Sequence, residues 1–488
     1  MATTQSPSLD GTDRLTKLAW GTLLVLCGAL FLDALDVSMI GVALPSIRTS
    51  LGLSTNSLQW VVSAYVLGYG GFLLLGGRAA DLLGRRKVFL IALAVFVVAS
   101  TLGGLATDGT VLIITRFIKG MSAAFTAPAA LSIITTTFAE GPARNRALAI
   151  FTATGATGFS LGLVIGGLLT ELGWRWVFFL PAPVALVVLL AGIRLVPKDV
   201  VAKRVRGGFD FTGAVTMTGA MLLLVFTLVE APSAGFLSLR TIGSLAAVAA
   251  ILAVFIAQER RASSPLVRLG ILRSGPLVRA NLGAMSLFGS WIGFQFVVTL
   301  YLQQLRGWSA LETGLAIFPA GLIVAVVSPR MGTLIGRFGV TRLIVAGLVS
   351  LTAGYILFLP VTLESSYALG MFPTFVLAGI GFALAFGPLN VAATSGVAAE
   401  EQGLAGGLLN TSFQFGGAVV LAIVTAVNNA NTGAGAGAQA VLDGFHAAIY
   451  VSVAAALVGI VAMTRRRRSV EVVPAVEPPL PEILEEAA

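Results

Sequence analysis

The sequence holds one cysteine, Cys27, and one histidine, His446. A lone cysteine excludes a disulfide framework and paired-cysteine metal sites. A lone histidine excludes the two-histidine zinc motifs and leaves any nucleophile short of the usual base. Charge is scarce as well. Only 11% of the 488 residues are charged, where a soluble protein keeps roughly 25%. There is too little polar material to cover a core of this size in water. What fills the chain instead is apolar: 57% hydrophobic residues and a mean hydropathy of +0.94. Lipid is the expected solvent.

The net charge of +9 does not describe a nucleic-acid surface, because Lys and Arg fall in short clusters between apolar runs. Each run reaches the ~20 residues needed to cross a bilayer. They lie at 18–44, 57–77, 88–106, 109–136, 146–170, 177–194, 211–230, 239–257, 281–303, 311–329, 340–360, 370–392, 403–427 and 445–463. The polar lead 1–17 is too long for a simple signal peptide, and no small-residue cleavage site follows, so the first run is expected as an uncleaved span.

With the N-terminus inside, 25 of the 31 basic residues face the cytoplasm, among them Arg85, Arg86, Lys87 and the run Arg465–Arg468. Arg48, Arg175, Arg240 and Arg306 face outward, while Arg116 and Lys119 lie inside a span. This bias sets both termini in the cytoplasm. The Pro- and Glu-rich tail 464–488 is expected to be disordered, and the Gly/Ala stretch 432–438 to be a flexible outer loop.

A few polar residues interrupt the apolar runs. Asp33 and Asp36 stand three apart in the first span, on one helix face. A carboxylate at bilayer depth costs on the order of 2.5–3.5 kcal/mol, so it must face a cavity or a partner. Arg116 and Lys119 share a face of the fourth span; the arginine keeps its charge and demands an acid or a carbonyl. Structural ion pairing or snorkelling to the helix ends would be the plainer explanation. Gly158, Gly162 and Gly166 recur every four residues, followed by Gly167, and leave a smooth face for another helix. Gly158 to Gly162 also spells the hydrolase elbow Gly-x-Ser-x-Gly, but without its strand context or a histidine partner. Gln295, Tyr301, Gln303, Asn390, Asn410 and Gln414 are the later polar groups, each a candidate for substrate contact or for a bond between helices. Glu171 and Glu230 sit near outer ends, where water reaches them.

The stretch Gly77-Arg78-Ala79-Ala80-Asp81-Leu82-Leu83-Gly84-Arg85-Arg86-Lys87 lies between the second and third spans, with a fainter copy at Gly332 to Arg342. It reads as a tight cytoplasmic loop, and it resembles the signature loop of the major facilitator superfamily, with Leu82 where a basic residue is usual. Leu35-Asp36 through Val42-Ala43-Leu44-Pro45, Gln59 through Tyr65, Arg116 through Gly120, Gly158 through Gly167 and Trp174 through Phe179 resemble motifs of that family's fourteen-span drug:proton antiporter branch. Lys119 stands where glutamine is commoner, and Leu163 where proline is expected.

The resemblance implies an all-α membrane protein with the major facilitator fold. Its 14 transmembrane helices would form two six-helix bundles, 18–194 and 281–463, with two extra central helices in 195–280. It implies proton coupling through Asp33, Asp36, Arg116 and Lys119, and gating by Gly77, Asp81, Gly84, Arg85 and Arg86. The antiporter packing motif would be Gly158, Gly162, Gly166 and Gly167. Substrate contacts would come from Asp36, Gln295, Tyr301, Asn410 and Gln414. The expected function is proton-coupled export of amphipathic drugs or antibiotics, cationic ones included, from a cell membrane by a monomer. The expected partners are that small molecule, protons and the bilayer, with no cofactor, metal or nucleic acid. A proton-coupled symporter is the nearest alternative; a non-transporting receptor, and then an enzyme, stand further off.

Overall fold

The computed structural model describes residues 17–138, 142–198, 211–235, 237–262, 270–271, 274–395, 397, 402–432 and 437–464. Residues 1–16 and 465–488 of the expected tails, the basic residues Lys203, Arg204, Arg206, Arg268 and Arg273, and 433–436 of the expected Gly/Ala loop lie outside the described residues, as does the side chain of Asp81. No strand occurs among the described residues. As expected, 14 helical stretches are long and apolar enough to cross a membrane.

The helices are α1 (Lys17–Leu51), α2 (Thr55–Leu83), α3 (Arg85–Gly104), α4 (Gly109–Thr137), α5 (Pro142–Leu172), α6 (Trp176–Phe179) and α7 (Pro181–Leu195). The extra pair α8 (Phe211–Ala234) and α9 (Leu239–Glu259) follows. Then come α10 (Gly275–Leu300), α11 (Ala310–Val327), α12 (Met331–Phe338), α13 (Val340–Phe358), α14 (Phe372–Thr394), α15 (Gln402–Asn431) and α16 (Ala438–Thr464). Spans six and ten are each built of two pieces, α6 with α7 and α11 with α12. Short polar links start several helices with side-chain caps, which satisfy otherwise orphaned backbone N–H groups. Asp108 accepts from Thr110 N at 2.8 Å, and Ser309 with Glu312 forms a complete capping box on α11.

Two local expectations are corrected. The first span does not close at 44: α1 runs through Pro45 to Leu51. Proline removes a single ladder bond, and the turns beyond it continue, with Thr49 Oγ1 donating to Pro45 O at 3.0 Å. The stretch Gly77 to Lys87 is not a loop either. α2 stays helical to Leu83 and α3 begins at Arg85, so the chain turns at Gly84 alone, with φ 99°. Ala79 and Ala80 are strong helix formers buried in the core, and one glycine with positive φ is enough to break the helix. The fainter copy is built alike, with Gly339 at φ 79° between α12 and α13.

Packing repeats along the chain. In the first half α1 lies on α5, α2 on α4, and α3 on α4 and α7; in the second, α10 lies on α15, α11 on α14, and α13 on α14 and α16. The halves meet along two seams, α5 with α11 and α2 with α15, and α8 covers the second by packing on both of its helices. Val66 and Leu67 of α2, Val225 and Val229 of α8 and Ala418 of α15 form a separate apolar cluster there. Glu230, expected to be wet, instead accepts a bond from Trp60 Nε1 at 2.9 Å.

Candidate functional site

Two glycine contacts hold the helices that carry the interior charges. A Cβ on Gly120 of α4 would stand 2.0 Å from Tyr65 O of α2, so only glycine permits this approach. On the other side, α5 presses its smooth face against α1. Cβ atoms on Gly158, Gly162 and Gly166 would meet Phe31 O at 2.6 Å, Leu35 O at 2.7 Å and Met39 Cα at 2.6 Å. Those neighbours flank Asp36. Gly167 turns the other way and abuts Leu311 Cα of α11.

Asp36 is 0% exposed and takes both bases of α4: Arg116 Nη1 donates to Oδ2 and Lys119 Nζ donates to Oδ1. Arg116, 1% exposed, also donates from Nε to Val61 O at 3.1 Å, and its guanidinium lies 4.6 Å from the Tyr65 ring centroid. Lys119, fully buried, donates to Ser100 Oγ at 3.1 Å. Ser100 in turn donates to Phe178 O at 2.8 Å, and the ammonium sits over the rings of Phe96 and Phe178 at 4.7 and 5.1 Å. Such ring faces help to hold a desolvated cation. The cluster therefore joins one acid to two bases, an arrangement in which any single loss leaves a buried charge without its partner.

Asp33, one turn earlier and 9% exposed, does not join it; its Oδ2 has no hydrogen bond among the described residues. The same holds for both amide atoms of Gln59, for Ser63 Oγ and for the Tyr65 hydroxyl. A patch of unpartnered polar atoms thus borders the cluster on α1 and α2, although each such atom costs about 1–3 kcal/mol.

Beside the cluster, a cavity of about 40 Å³ opens between the halves, lined by α1, α2, α4, α10 and α15. That is room for a few water molecules and not for a drug-sized compound. Arg116, Tyr65, Gln295 and Gln414 are its polar lining, within an apolar wall that includes Phe288 and Phe296. Asp36, bonded to Arg116, is not itself among the lining residues. A wider vestibule of about 850 Å³ lies at the end of the bundle opposite Gly84 and Gly339, between the end of α1 and the start of α11. Gln303 lines it and donates to Val42 O of α1 at 2.9 Å.

Of the expected substrate contacts, Gln295 and Gln414 reach the cavity while Tyr301 and Asn410 do not. The Tyr301 hydroxyl donates to Thr362 O at 2.6 Å. The Asn410 amide bonds Gly406 O of its own helix at 3.0 Å. His446 stands 2.9 Å from Val361 O, far in sequence from Ser160, which lies on the unbroken helix α5. Among the described residues no group of acids, histidine and cysteine could hold a metal. Sequence reasoning missed Ser100, a serine in an apolar run with nothing to mark it, and Tyr65 as the lid on Arg116.

Fourteen spanning helices, packed in repeated order around a charged interior, define a multi-pass membrane protein of the transporter type. The chain belongs to the Major Facilitator Superfamily, whose family model matches residues 26–421. It is 36% identical to the cephamycin export protein CmcT of Amycolatopsis lactamdurans, over 95% of this chain and 96% of that one. It is likewise 36% identical to the puromycin resistance protein pur8 of Streptomyces alboniger, over 91% and 90% of the two chains. Identity is 35% to a tetracenomycin C resistance and export protein of Streptomyces glaucescens, over 83% and 75%. Among solved structures, the human organic anion transporter MFSD10 shares the fold with a TM-score of 0.63 at 17% identity, covering 91% of this chain and 99% of that one. The nucleoside transporter NupG does so at 0.62 and 14%, covering 91% and 100%.

Proposed function

We propose that this chain is a proton-coupled exporter of amphipathic drugs or antibiotics in the plasma membrane, with both termini in the cytoplasm, working by alternating access. The observation that carries the reading is the buried Asp36–Arg116–Lys119 cluster set against a cavity between the two halves. A transporter built this way has a charge switch beside its cargo path. While Asp36 is ionised it ties α1 to α4 through both bases. A proton on Asp36 cancels both ion pairs at once and frees Arg116 toward the cavity, so that α1 and α4 can rearrange. The halves 18–194 and 281–463 would rock about the cavity, with 195–280 riding on one seam. Gly77, Asp81, Gly84, Arg85 and Arg86 would hold the cytoplasmic side shut in one state, and Asp33 would pass protons toward Asp36. One charge moving inward down 100 mV supplies about 2.3 kcal/mol, roughly a forty- to fiftyfold gradient of cargo. The names of the relatives, which include cephamycin export and tetracenomycin C resistance and export, support export as the direction.

The test is cargo uptake by everted membrane vesicles, over a panel that includes the compounds named for those relatives, with and without an uncoupler. Uncoupler-sensitive accumulation is expected. Asp36→Asn alone leaves two bases without their acid, so the informative variant is Asp36→Asn with Lys119→Gln, which keeps the cluster's charge at its original value. Accumulation should vanish in that folded variant. Undiminished coupled accumulation would remove Asp36 from the mechanism, and substrate-driven proton entry in the same direction as cargo would favour the symport alternative.

A further inference from the structure

The charged side chains that line the two cavities are of one sign, Arg116 in one and Arg48 in the other. The polar groups of the central cavity are the Arg116 guanidinium, the amides of Gln295 and Gln414 and the Tyr65 hydroxyl, with no carboxylate among the lining residues. Of the two acids on this stretch of α1, Asp36 is fully buried with each oxygen engaged by a base, and Asp33, one turn earlier, is not among the lining residues. Arg116 keeps one nitrogen in reserve: Nε and Nη1 are bonded, while Nη2 has no hydrogen-bond partner among the described residues. The vestibule repeats the bias independently. Arg48 lines it together with Gln303, Gln304 and Trp308, and Arg48 pairs with no acid among the described residues. An acid at the start of α11, Glu312, is turned onto its own helix, where it accepts from Ser309 N at 2.8 Å.

We infer that the cargo of this path is a neutral or anionic amphiphile rich in hydrogen-bond acceptors, and that organic cations are excluded. The inference rests on the transport reading above and narrows its cargo class. A cation brought into the cavity meets Arg116 in a medium that screens poorly and finds no carboxylate among the lining residues. Once the halves part and the cavity widens, an acceptor-bearing compound meets the forked donors of a guanidinium, which suit carbonyl and carboxylate oxygens, with amide donors opposite and aromatic walls for its apolar body. The charge balance of the cycle follows from the same assignment. Exchanging a neutral compound for an incoming proton moves one positive charge inward, and exchanging a monovalent anion moves two. Both draw on the membrane potential, whereas one-for-one exchange of a monovalent cation would not.

The experiment is equilibrium binding to the full chain in lipid nanodiscs at neutral pH, with no gradient. Three probes share one fluorescent body: the dansyl amide of aminohexanoic acid, its methyl ester, and the dansyl amide of diaminohexane. The acid and the ester should bind tighter than the amine by about tenfold or more, and Arg48→Gln should weaken the acid more than the ester. Binding of the amine as tight as the ester, or binding of none of the three, overturns the assignment. Because no proton gradient is present, these outcomes are separate from a failure of export, which the vesicle assay reads: a probe that binds as expected but is never accumulated would sink the exporter reading and leave the cargo class standing.

Discussion

The two halves of this protein are alike in packing and unlike in chemistry. Helix pairs repeat, α1 on α5 as α10 on α15, and α2 on α4 as α11 on α14. Glycine does the same work in both: Gly162 lets α5 meet α1, and Gly416 lets α15 meet α10, where a Cβ would stand 2.2 Å from Met285 O. Gly84 and Gly339 make the same one-residue turn. Buried charge is not repeated among the described residues. Asp33, Asp36, Arg116 and Lys119 all lie in the first half, while the buried polar groups of α10 to α16 are hydroxyls and amides. Close packing tolerates few sequences and so survives in both copies. A buried ionic group is weak as a stabiliser, since replacing the whole group by well-packed apolar residues is often neutral, whereas removing one partner alone is costly. The first half reads as the switch and the second as a neutral wall facing it.

The largest effect should come from breaking that asymmetry at its centre. Asp36→Asn leaves Arg116 and Lys119 facing each other without an acid, and should lose about 3–5 kcal/mol of stability. Gln414→Leu, on the facing wall, should lose less than about 1 kcal/mol, because it removes no charge and the site stays filled. Cys27 is the sole cysteine and is buried, so thermal unfolding can be followed by its exposure to a thiol-reactive dye. Lys119→Gln should fall between the two, since Asp36 and Arg116 still neutralise each other. Equal melting of Asp36→Asn and Gln414→Leu would mean that the halves do not differ as described.

Most of this organisation was legible in the sequence, for reasons that also explain what was not. Spans are visible because lipid demands a long apolar run whatever the tertiary context. Charges inside such runs are rare, so Asp36, Arg116 and Lys119 stood out singly. Their pairing did not. Asp33 and Asp36 lie on the same face, and only the close approach of α5 and α4 decides which of them meets the bases. Polar but uncharged residues carry the weakest signal. Gln295 and Tyr301 looked alike as span interruptions, yet Gln295 lines the cavity and the Tyr301 hydroxyl is engaged by Thr362 O at the end of the bundle. The turn at Gly84 was misread for a related reason: glycine and charge suggest a loop, whereas the alanines and leucines between them complete a helix.

A second test asks whether packing and chemistry can be separated. Gly162→Ala puts its Cβ 2.7 Å from Leu35 O and 2.0 Å from Ser38 Oγ, and Gly416→Ala puts its own 2.2 Å from Met285 O. Both overfill a helix contact, and each should cost about 1–3 kcal/mol, with matching losses in melting temperature. Uncoupler-sensitive transport per folded molecule should fall much further for Gly162→Ala, because the displaced turn of α1 is the one that carries Asp36. Equal losses of coupling from the two variants would show that the α1–α5 contact has no special tie to the cluster.

The smallest effect should appear where the halves are most alike. Gly84 and Gly339 hold φ values of 99° and 79° with ψ of 128° and 154°, a region left almost wholly to glycine, where a Cβ costs roughly 1–3 kcal/mol. Gly84→Ala and Gly339→Ala should therefore destabilise the protein by similar small amounts, and combined they should add, because they lie in separate turns of separate halves. Transport separates them if the basic cluster matters. Arg85, Arg86 and Lys87 follow Gly84 directly, and Arg86 reaches Ile193 O at the end of α7, so re-aiming that turn moves three cations. After Gly339 only Arg342 stands close by. A lower transport rate in Gly84→Ala than in Gly339→Ala, at equal melting temperature, is the expected result. Identical rates would make the charges of the first turn incidental and extend the likeness of the two halves from packing to gating.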